Sequence, residues 1–296
     1  MSIAVETRRR YATLGFVVLL ILSVLWPSPI VSTNQLWTKE PIAIDDLSFL
    51  GREAPSWDVV FWCLAGLLLI AIVQSAVSHD FREPLRIIRE TRFEPRTLRV
   101  AIAGIAFGAI ATALVWMFLD ARVLAWAERV QSDETETLVR LMNRFGGGMN
   151  PALVVGFFLV AGVAYAERRW IAYAIAMGDA GLAAGIGAQI VKHIVGRARP
   201  ELWLGPAHYA PGSSTSFPSG HTVGAFALGG VLIFASRNIP LRVSAFVLAA
   251  AVGVSRILAF RHWASDVVAS AILGLLCAYV FSRSVTRLTS ANDAGP

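Results

Sequence analysis

The chain has 296 residues, 56% of them hydrophobic and only 16% charged, with a formal net charge of +6. A soluble domain carries about 25% charged residues. Too few charges are present to coat a globule of this length, which excludes a soluble enzyme, a disordered chain and a disulfide scaffold. What remains is an all-α, polytopic helical membrane protein. Cys63 and Cys277 both sit in apolar runs and say little about redox compartment.

A spanning helix takes about 20 mostly apolar residues. Eight runs qualify: 11–27, 58–78, 98–119, 151–166, 171–192, 221–236, 242–259 and 264–282, the fourth being short. They are separated by Pro27 and Pro29, the charged stretch 79–99, Gly146-Gly147-Gly148, Glu167-Arg168-Arg169, and Asn238 to Pro240. The first run follows Arg8-Arg9-Arg10. It is expected to be an uncleaved helix, because no clear small-x-small cleavage site follows it. Segment 120–150 mixes Leu124, Val130, Leu138, Leu141 and Met142 with charged residues. Either short amphipathic helices on the outer interface or a plain extramembrane loop fits that spacing. In the fifth run, Gly181 and Gly185 are four apart and suggest close helix packing. Asp179 beside them is expected to bind across helices or to face a polar cavity. No internal repeat is present. The chain divides into an N-terminal part, 1–97, with two transmembrane helices and a basic cytoplasmic loop, and a six-helix part, 98–296.

Orientation follows from basic residues. With the N-terminus inside, most of the 26 Lys and Arg fall on the cytoplasmic side. They include Arg8 to Arg10, the arginines of 79–99, Arg168-Arg169, Arg237, Arg242, Arg283 and Arg287. Both termini are therefore expected in the cytoplasm. The basic stretch 79–99 suits anionic lipid head groups. It lacks the interleaved aromatics of a nucleic-acid site, so no nucleic-acid partner is expected. Trp26, Trp57, Trp62, Trp116 and Trp263 fall near the outer boundary and read as an interfacial belt.

The informative polar residues sit at the outer ends of four late spans. Lys192, Arg197, Arg199 and Pro200 end the fifth. Pro218-Ser219-Gly220-His221 starts the sixth. Ser255, Arg256 and Arg261 end the seventh, and His262 and Asp266 start the eighth. The orientation puts all four ends on one side, and ionisable residues there are functional suspects. His221, His262 and Asp266 alone suggest a metal site. The accompanying Lys and Arg side chains repel a divalent metal and attract an anion. The guanidinium fork matches phosphate, and lysine adds a compact charge. Pro218 suits a helix start, which would leave the backbone N–H groups of Ser219, Gly220 and His221 facing an anion. His262 and Asp266, four apart, share one helix face. The carboxylate is expected to hold one ring nitrogen protonated and to point the other at substrate, the arrangement of a histidine nucleophile. His221 is then the proton donor. His193 and His208 are expected to be interfacial caps.

These residues resemble the three-part signature of the type-2 phosphatidic acid phosphatase family. That signature is Lys, six residues and Arg-Pro; Pro-Ser-Gly-His; and Ser-Arg, five residues, His, three residues and Asp. Here it runs from Lys192 through Arg199-Pro200, over Pro218 to His221, to Ser255-Arg256, His262 and Asp266. The resemblance implies a six-helix phosphatase core from residue 98 onward, and the two transmembrane helices before it depart from that minimal core. It implies His262 as the phosphohistidine nucleophile, Asp266 as its orienting partner, and His221 as general acid and then base. It implies Lys192, Arg199, Arg256, Ser219 and Gly220 as phosphate-binding residues, a lipid phosphate substrate, and no metal or organic cofactor. Arg197 and Arg261 lie outside the pattern and are expected to cap helix ends or, alternatively, to enrich the positive field.

The leading reading is thus a membrane lipid phosphatase acting on phosphatidic acid, phosphatidylglycerophosphate, a polyprenyl phosphate or diphosphate, or lipid A phosphate. A phosphotransferase using the same phosphohistidine is the alternative. A lipid transporter with an anion pocket is a third reading, disfavoured because Asp179 is the main polar residue in mid-membrane. A vanadium-dependent haloperoxidase has a similar pocket but is soluble, against eight spans here.

Overall fold

The computed structural model describes residues 95–147, 150–165, 168–211 and 216–293. The first two expected spans, Cys63, and Trp26, Trp57 and Trp62 lie outside the described residues. Eight α-helices follow in order. They are α1 (Pro95–Phe118), α2 (Asp120–Arg129), α3 (Asp133–Gly146), α4 (Asn150–Ala164), α5 (Arg168–Val195), α6 (Gly220–Ala235), α7 (Ile239–Leu258) and α8 (Ala264–Asp293), with one 3₁₀ turn at Pro200–Leu202. No strand occurs among the described residues beyond a single bridge between Arg197 and Tyr209. The described residues are all-helical, and the protein is an integral membrane protein. Segments Pro95–Phe118, Arg169–Val195, Ile239–Leu258 and Ala264–Arg283 are each long and apolar enough to cross a bilayer. α4 and α6, with 15 and 16 residues, are about 24 Å long at 1.5 Å per residue. That falls short of a hydrocarbon core of about 30 Å.

α1 shows why the outer surface is apolar. Leu98, Ile102, Ile105, Phe107, Ile110 and Met117 all point outward, as suits a bilayer solvent. Its opposite face carries Gly104 and Gly108, which meet Leu276 and Ile272 of α8. The interior is built from α5, α6 and α8 around Ala176, Met177, Ala180, Ala184, Val223, Ala227, Val231 and Ala278. With no hydrophobic drive to bring helices together in lipid, close van der Waals packing of small side chains does the work. At Gly274 of α8 the crossing brings the helix against the backbone of α6. A Cβ there would lie 2.7 Å from the Val223 carbonyl oxygen and 2.9 Å from the Ala227 nitrogen of α6. The expected pair in α5 contributes less: Gly181 faces Leu228, and Gly185 has nothing within 4 Å of its missing Cβ. Spacing alone did not say which small residues sit at a crossing. Asp179 is half-buried in α5.

Segment 120–150 forms two helices, not a plain loop. Ser132 caps α3 by accepting a hydrogen bond from the Thr135 amide at 3.2 Å, and Asp133, Glu134 and Glu136 favour its N-terminal dipole. Val123, Leu124, Val130 and Val139 pack inward against Ala127, Ile257, Leu258 and Phe260. Trp126, Leu138, Leu141 and Phe145 point outward, an apolar stripe of the kind that rests in a membrane interface. α3 lies across the end of α7 and reaches α6, so this segment roofs one end of the bundle. Trp263 departs from the expected interfacial belt. It is buried, and its indole N–H donates to the Ala198 carbonyl at 2.8 Å. Trp116 remains partly exposed, donating to the Pro206 carbonyl at 3.3 Å.

Candidate active site

The four helix ends singled out from the sequence meet under the α2–α3 roof. α5 stops at Gly196, whose φ of 56° is left-handed; a Cβ there would lie 2.3 Å from the Ala210 carbonyl oxygen, so only glycine fits. The chain then runs back on itself, with Ala210 N donating to Gly196 O at 2.7 Å and Ala198 N to His208 O at 3.0 Å. This leaves Lys192 in the last turn of α5 and Arg199 just beyond it, both half-buried. α7 ends through Ala259 and Phe260, the latter at φ 54°, and the Arg261 and His262 amides both donate to the Arg256 carbonyl, at 3.1 and 3.3 Å. His193 and His208 stay exposed, and His193 Nδ1 bonds the Gln189 carbonyl one turn back at 2.8 Å.

Pro218 is not the first residue of α6. Ser219 is the N-cap, and α6 starts at Gly220. The Ser219 hydroxyl accepts from the Thr222 amide at 3.4 Å and the Thr222 hydroxyl at 2.9 Å, and its own amide donates to Ser270 Oγ at 2.7 Å. The Ser219 amide is thus already used, contrary to the expectation that it faces an anion. The amides of Gly220 and His221, in the first turn, have no acceptor within the helix. They remain available at the positive end of the dipole.

His262 is 4% exposed. Its Nδ1 lies 2.6 Å from the Ser216 carbonyl oxygen and 3.7 Å from Asp266 Oδ2. A carbonyl only accepts, so Nδ1 carries the ring proton and Nε2 keeps its lone pair. Burial holds the His262 pKa well below the usual imidazole value; the cations of Lys192, Arg256 and Arg199 add to this, and the bond to Ser216 opposes it. The direct His262–Asp266 bond expected from their spacing is too long at 3.7 Å. Instead Ser216 stands between them, its hydroxyl donating to Asp266 Oδ2 at 2.5 Å. The Trp263 amide donates to the same oxygen at 3.0 Å.

The other end of Asp266 is held by Arg197. Nη1 donates to Asp266 Oδ1 at 2.6 Å and Nη2 to Asp120 Oδ2 at 2.7 Å, with all three side chains buried. Arg197 was expected to cap a helix; it is a buried fork between two carboxylates. Arg261 does not cap either, since it pairs with Glu201 at 2.9 Å, and Glu201 also approaches Arg199 at 3.4 Å. Arg256 is buried and donates to Asn143 Oδ1 of α3. Gly147, just past α3, abuts His221: a Cβ there would sit 2.5 Å from His221 Nε2. Among the described residues, no three His, Cys, Asp or Glu side chains converge as metal ligands would.

This cationic, imidazole-containing cluster has a counterpart among known proteins. Residues 169–290 match the PAP2 superfamily model. Over that stretch the chain is similar to the PAP2 superfamily. The stretch contains every residue of the three-part signature, from Lys192 to Asp266. The chain is similar to a lipid A 1-phosphatase of Rhizobium johnstonii, 36% identical over 124 residues, covering 38% of this chain and 49% of the relative. It is similar to one of Porphyromonas gingivalis, 40% identical over 87 residues, covering 29% and 18%. The chain thus spans about half the length, or less, of these curated relatives. Among solved structures, a PAP2-type phosphatidylglycerolphosphate phosphatase from Bacillus subtilis aligns with a TM-score of 0.49 and 21% identity, over 66% of this chain and 96% of that one.

Asp120, Asn143 and Gly147 lie before the matched PAP2 stretch, in segment 120–150, whose spacing fits either interfacial helices or a plain loop. One signal was available: Asp120 is an ionisable residue directly after an apolar span. Ser216 carried no signal, since its role is made by a backbone carbonyl as much as by its hydroxyl.

Proposed function

We propose that the chain is an integral membrane phosphatase that releases phosphate from a lipid head group through a phosphohistidine on His262. The observation that supports this best is the fixed His262 tautomer: Nδ1–H is committed to Ser216, so Nε2 is the nucleophilic atom, and the cations of Lys192, Arg199 and Arg256 act on this ring.

On this reading the phosphoryl group sits among those cations and the Gly220 and His221 amides. Nε2 attacks phosphorus, the bond to the ester oxygen breaks, and the leaving oxygen takes a proton from His221. Neutral His221 then takes a proton from water, whose oxygen attacks phosphorus and breaks the N–P bond, freeing phosphate and restoring His262. Charge spread over the equatorial oxygens in each step is stabilised by cations already in place. Splitting the reaction into two displacements lowers each barrier. Every step is supplied by these side chains, so no metal or cofactor is invoked.

A cavity of about 430 Å³ beside Arg197 and Ser265 is lined by Ile105, Ala109, Trp116, Phe217, Ile272 and Leu276. It supports lateral entry of a lipid whose chains stay in the bilayer. Curated relatives similar to this chain carry the name lipid A 1-phosphatase, which supports lipid A 1-phosphate as the first substrate to try. The catalytic unit on this reading is 98–296, distinct from 1–97, and the site faces the side opposite the arginine-rich loops.

The test is a phosphate-release panel with the purified chain. It covers lipid A 1-phosphate, phosphatidic acid, phosphatidylglycerophosphate, and polyprenyl mono- and diphosphate, with His262→Ala as blank. Release from at least one lipid, lost in the blank, is expected. A phosphorylated second lipid in place of free phosphate would make the chain a phosphotransferase. No release from any lipid would sink the reading.

A further inference from the structure

We infer that Arg197 and Asp120 are positioning residues that hold the His262 ring for attack and leave one negative charge to offset the ring when it becomes cationic. The inference rests on the phosphohistidine reading of the site.

Arg197 bonds both Ser216, which holds His262 Nδ1, and Asp266, which lies 3.7 Å from that nitrogen. Its side chain grips Asp266 Oδ1 at 2.6 Å, and its carbonyl accepts the Ser216 amide at 3.0 Å. Ser216 in turn gives its hydroxyl to Asp266 Oδ2 at 2.5 Å and its carbonyl to His262 Nδ1 at 2.6 Å. The ring orientation is therefore set by a closed chain of short hydrogen bonds with Arg197 at its base. The guanidinium is itself immobile. It donates to the Pro206 carbonyl from Nε at 3.0 Å and from Nη2 at 2.8 Å, to Ser265 Oγ at 2.7 Å, and it lies 5.2 Å over the Trp263 ring.

Charge explains the second carboxylate. Burying an ion costs several kcal/mol even after relaxation, and one partner would be enough to pair a lone arginine. Here Arg197 lies between Asp266 and Asp120. Asp120 is further fixed by Ser265, whose amide donates to Oδ1 at 2.8 Å and whose hydroxyl donates to Oδ2 at 2.6 Å. With both carboxylates ionised, one guanidinium cannot neutralise them. If Asp120 were absent, Arg197 would cancel Asp266. With it present, Asp266 keeps a net influence on the ring. That matters in the step itself: Nε2–P forms, P–O breaks with its electron pair leaving on oxygen, and the ring keeps its Nδ1 proton and becomes a cation. Around that ring, Lys192 of α5, Arg256 of α7 and Arg199 disfavour positive charge, and His221 of α6 is coupled to it electrostatically. The pair of carboxylates on α8 and α2 is the local opposition to them.

The experiment uses the purified full chain in detergent and compares wild type with Arg197→Lys, Asp120→Asn and Ser216→Ala. It measures kcat, KM and the pH profile of kcat/KM on whichever lipid phosphate the wild type hydrolyses, with thermal unfolding as a check of folding. Lysine keeps the charge but cannot span both carboxylates. A displacement of about 1 Å at the nucleophile costs about 10²-fold, so kcat is expected to fall by that order with KM little changed. Asp120→Asn removes one negative charge, which disfavours the protonated ring, so the acid limb of kcat/KM moves to lower pH. A purely structural role would lower folded yield or unfolding temperature and move neither kcat per folded molecule nor the acid limb. Folded Arg197→Lys with wild-type kcat, or Asp120→Asn with an unmoved acid limb, overturns the inference. If those two do not fold, Ser216→Ala decides. It removes the link to Asp266 and keeps the carbonyl, and wild-type kcat in it overturns the inference. A wild type inactive on every lipid phosphate brings down the phosphatase reading and this inference with it. An active wild type with unaffected variants brings down the inference alone.

Discussion

Replacing Gly147 by alanine tests whether His221 is the proton donor. Gly147 has φ −118° and ψ 162°, extended backbone that alanine adopts without strain. The change is therefore confined to one methyl group. That methyl would lie 2.5 Å from His221 Nε2 and 3.1 Å from Cδ2, where ordinary contact needs about 3.5–4.0 Å. The Asn143 carbonyl at 3.0 Å prevents the methyl from retreating toward α3. The imidazole must give way by about 1 Å, which costs about 10²-fold for a misplaced catalytic group, or about 2.7 kcal/mol of barrier. The assay compares two substrates. A lipid phosphate leaves as an alkoxide that needs the proton; nitrophenyl phosphate leaves as a stable phenolate that does not. Hydrolysis of the lipid should fall by about two orders of magnitude, and that of nitrophenyl phosphate by much less. Equal losses on both would mean that the methyl disturbs phosphate binding, not proton donation. No loss on either would remove His221 Nε2 from the mechanism.

Three further outcomes follow from the geometry. Because His262 must be neutral to attack and its pKa is held below the ordinary 6.5, kcat/KM should show no His262 limb near neutrality. The limb belonging to His262 should appear only as pH drops well below 6.5, separate from the alkaline limb of the proton donor His221, and an acid limb at or above 6.5 contradicts the buried, cation-flanked ring. EDTA should leave activity of the purified protein nearly unchanged, and strong inhibition reversed by one divalent ion would revive a metal-assisted route. Gly274→Ala should destabilise the fold by about 1–3 kcal/mol through overpacking, because backbone atoms of α6 block the new methyl at 2.7 and 2.9 Å. A thermal melt unchanged from wild type would contradict the α6–α8 crossing.

Much of the architecture was legible because bilayer-spanning helices advertise themselves as apolar runs. Five of the six late runs coincide with a helix to within a few residues, and the last helix, α8, continues eleven residues past its run to Asp293. The reactive residues were legible for a related reason: ionised side chains at helix ends in a membrane are costly, so Lys192, Arg199, Arg256, His221, His262 and Asp266 stood out. What sequence could not carry is pairing. Arg197 and Asp120 are 77 positions apart and meet only through the fold. The four-residue spacing of His262 and Asp266 suggested a direct bond, yet the ring turns to the Ser216 carbonyl, because His262 precedes α8 rather than lying on it. Amphipathic spacing allowed helices in 120–150 but did not reveal that Asn143 and Gly147 would reach Arg256 and His221. Gly185 had the spacing of a packing residue but no neighbour within 4 Å, while Gly274, spaced four residues from Ser270 and Ala278, meets the backbone of α6.

The central claim is a covalent phosphoryl group on His262 Nε2. Rapid acid-free quenching of the enzyme with a ³²P-labelled lipid phosphate, followed by peptide mapping, tests it directly. The account predicts an acid-labile, base-stable label on the peptide carrying His262, formed before phosphate is released and absent in His262→Ala. Turnover of the lipid with no label on that peptide at any quench time would contradict it.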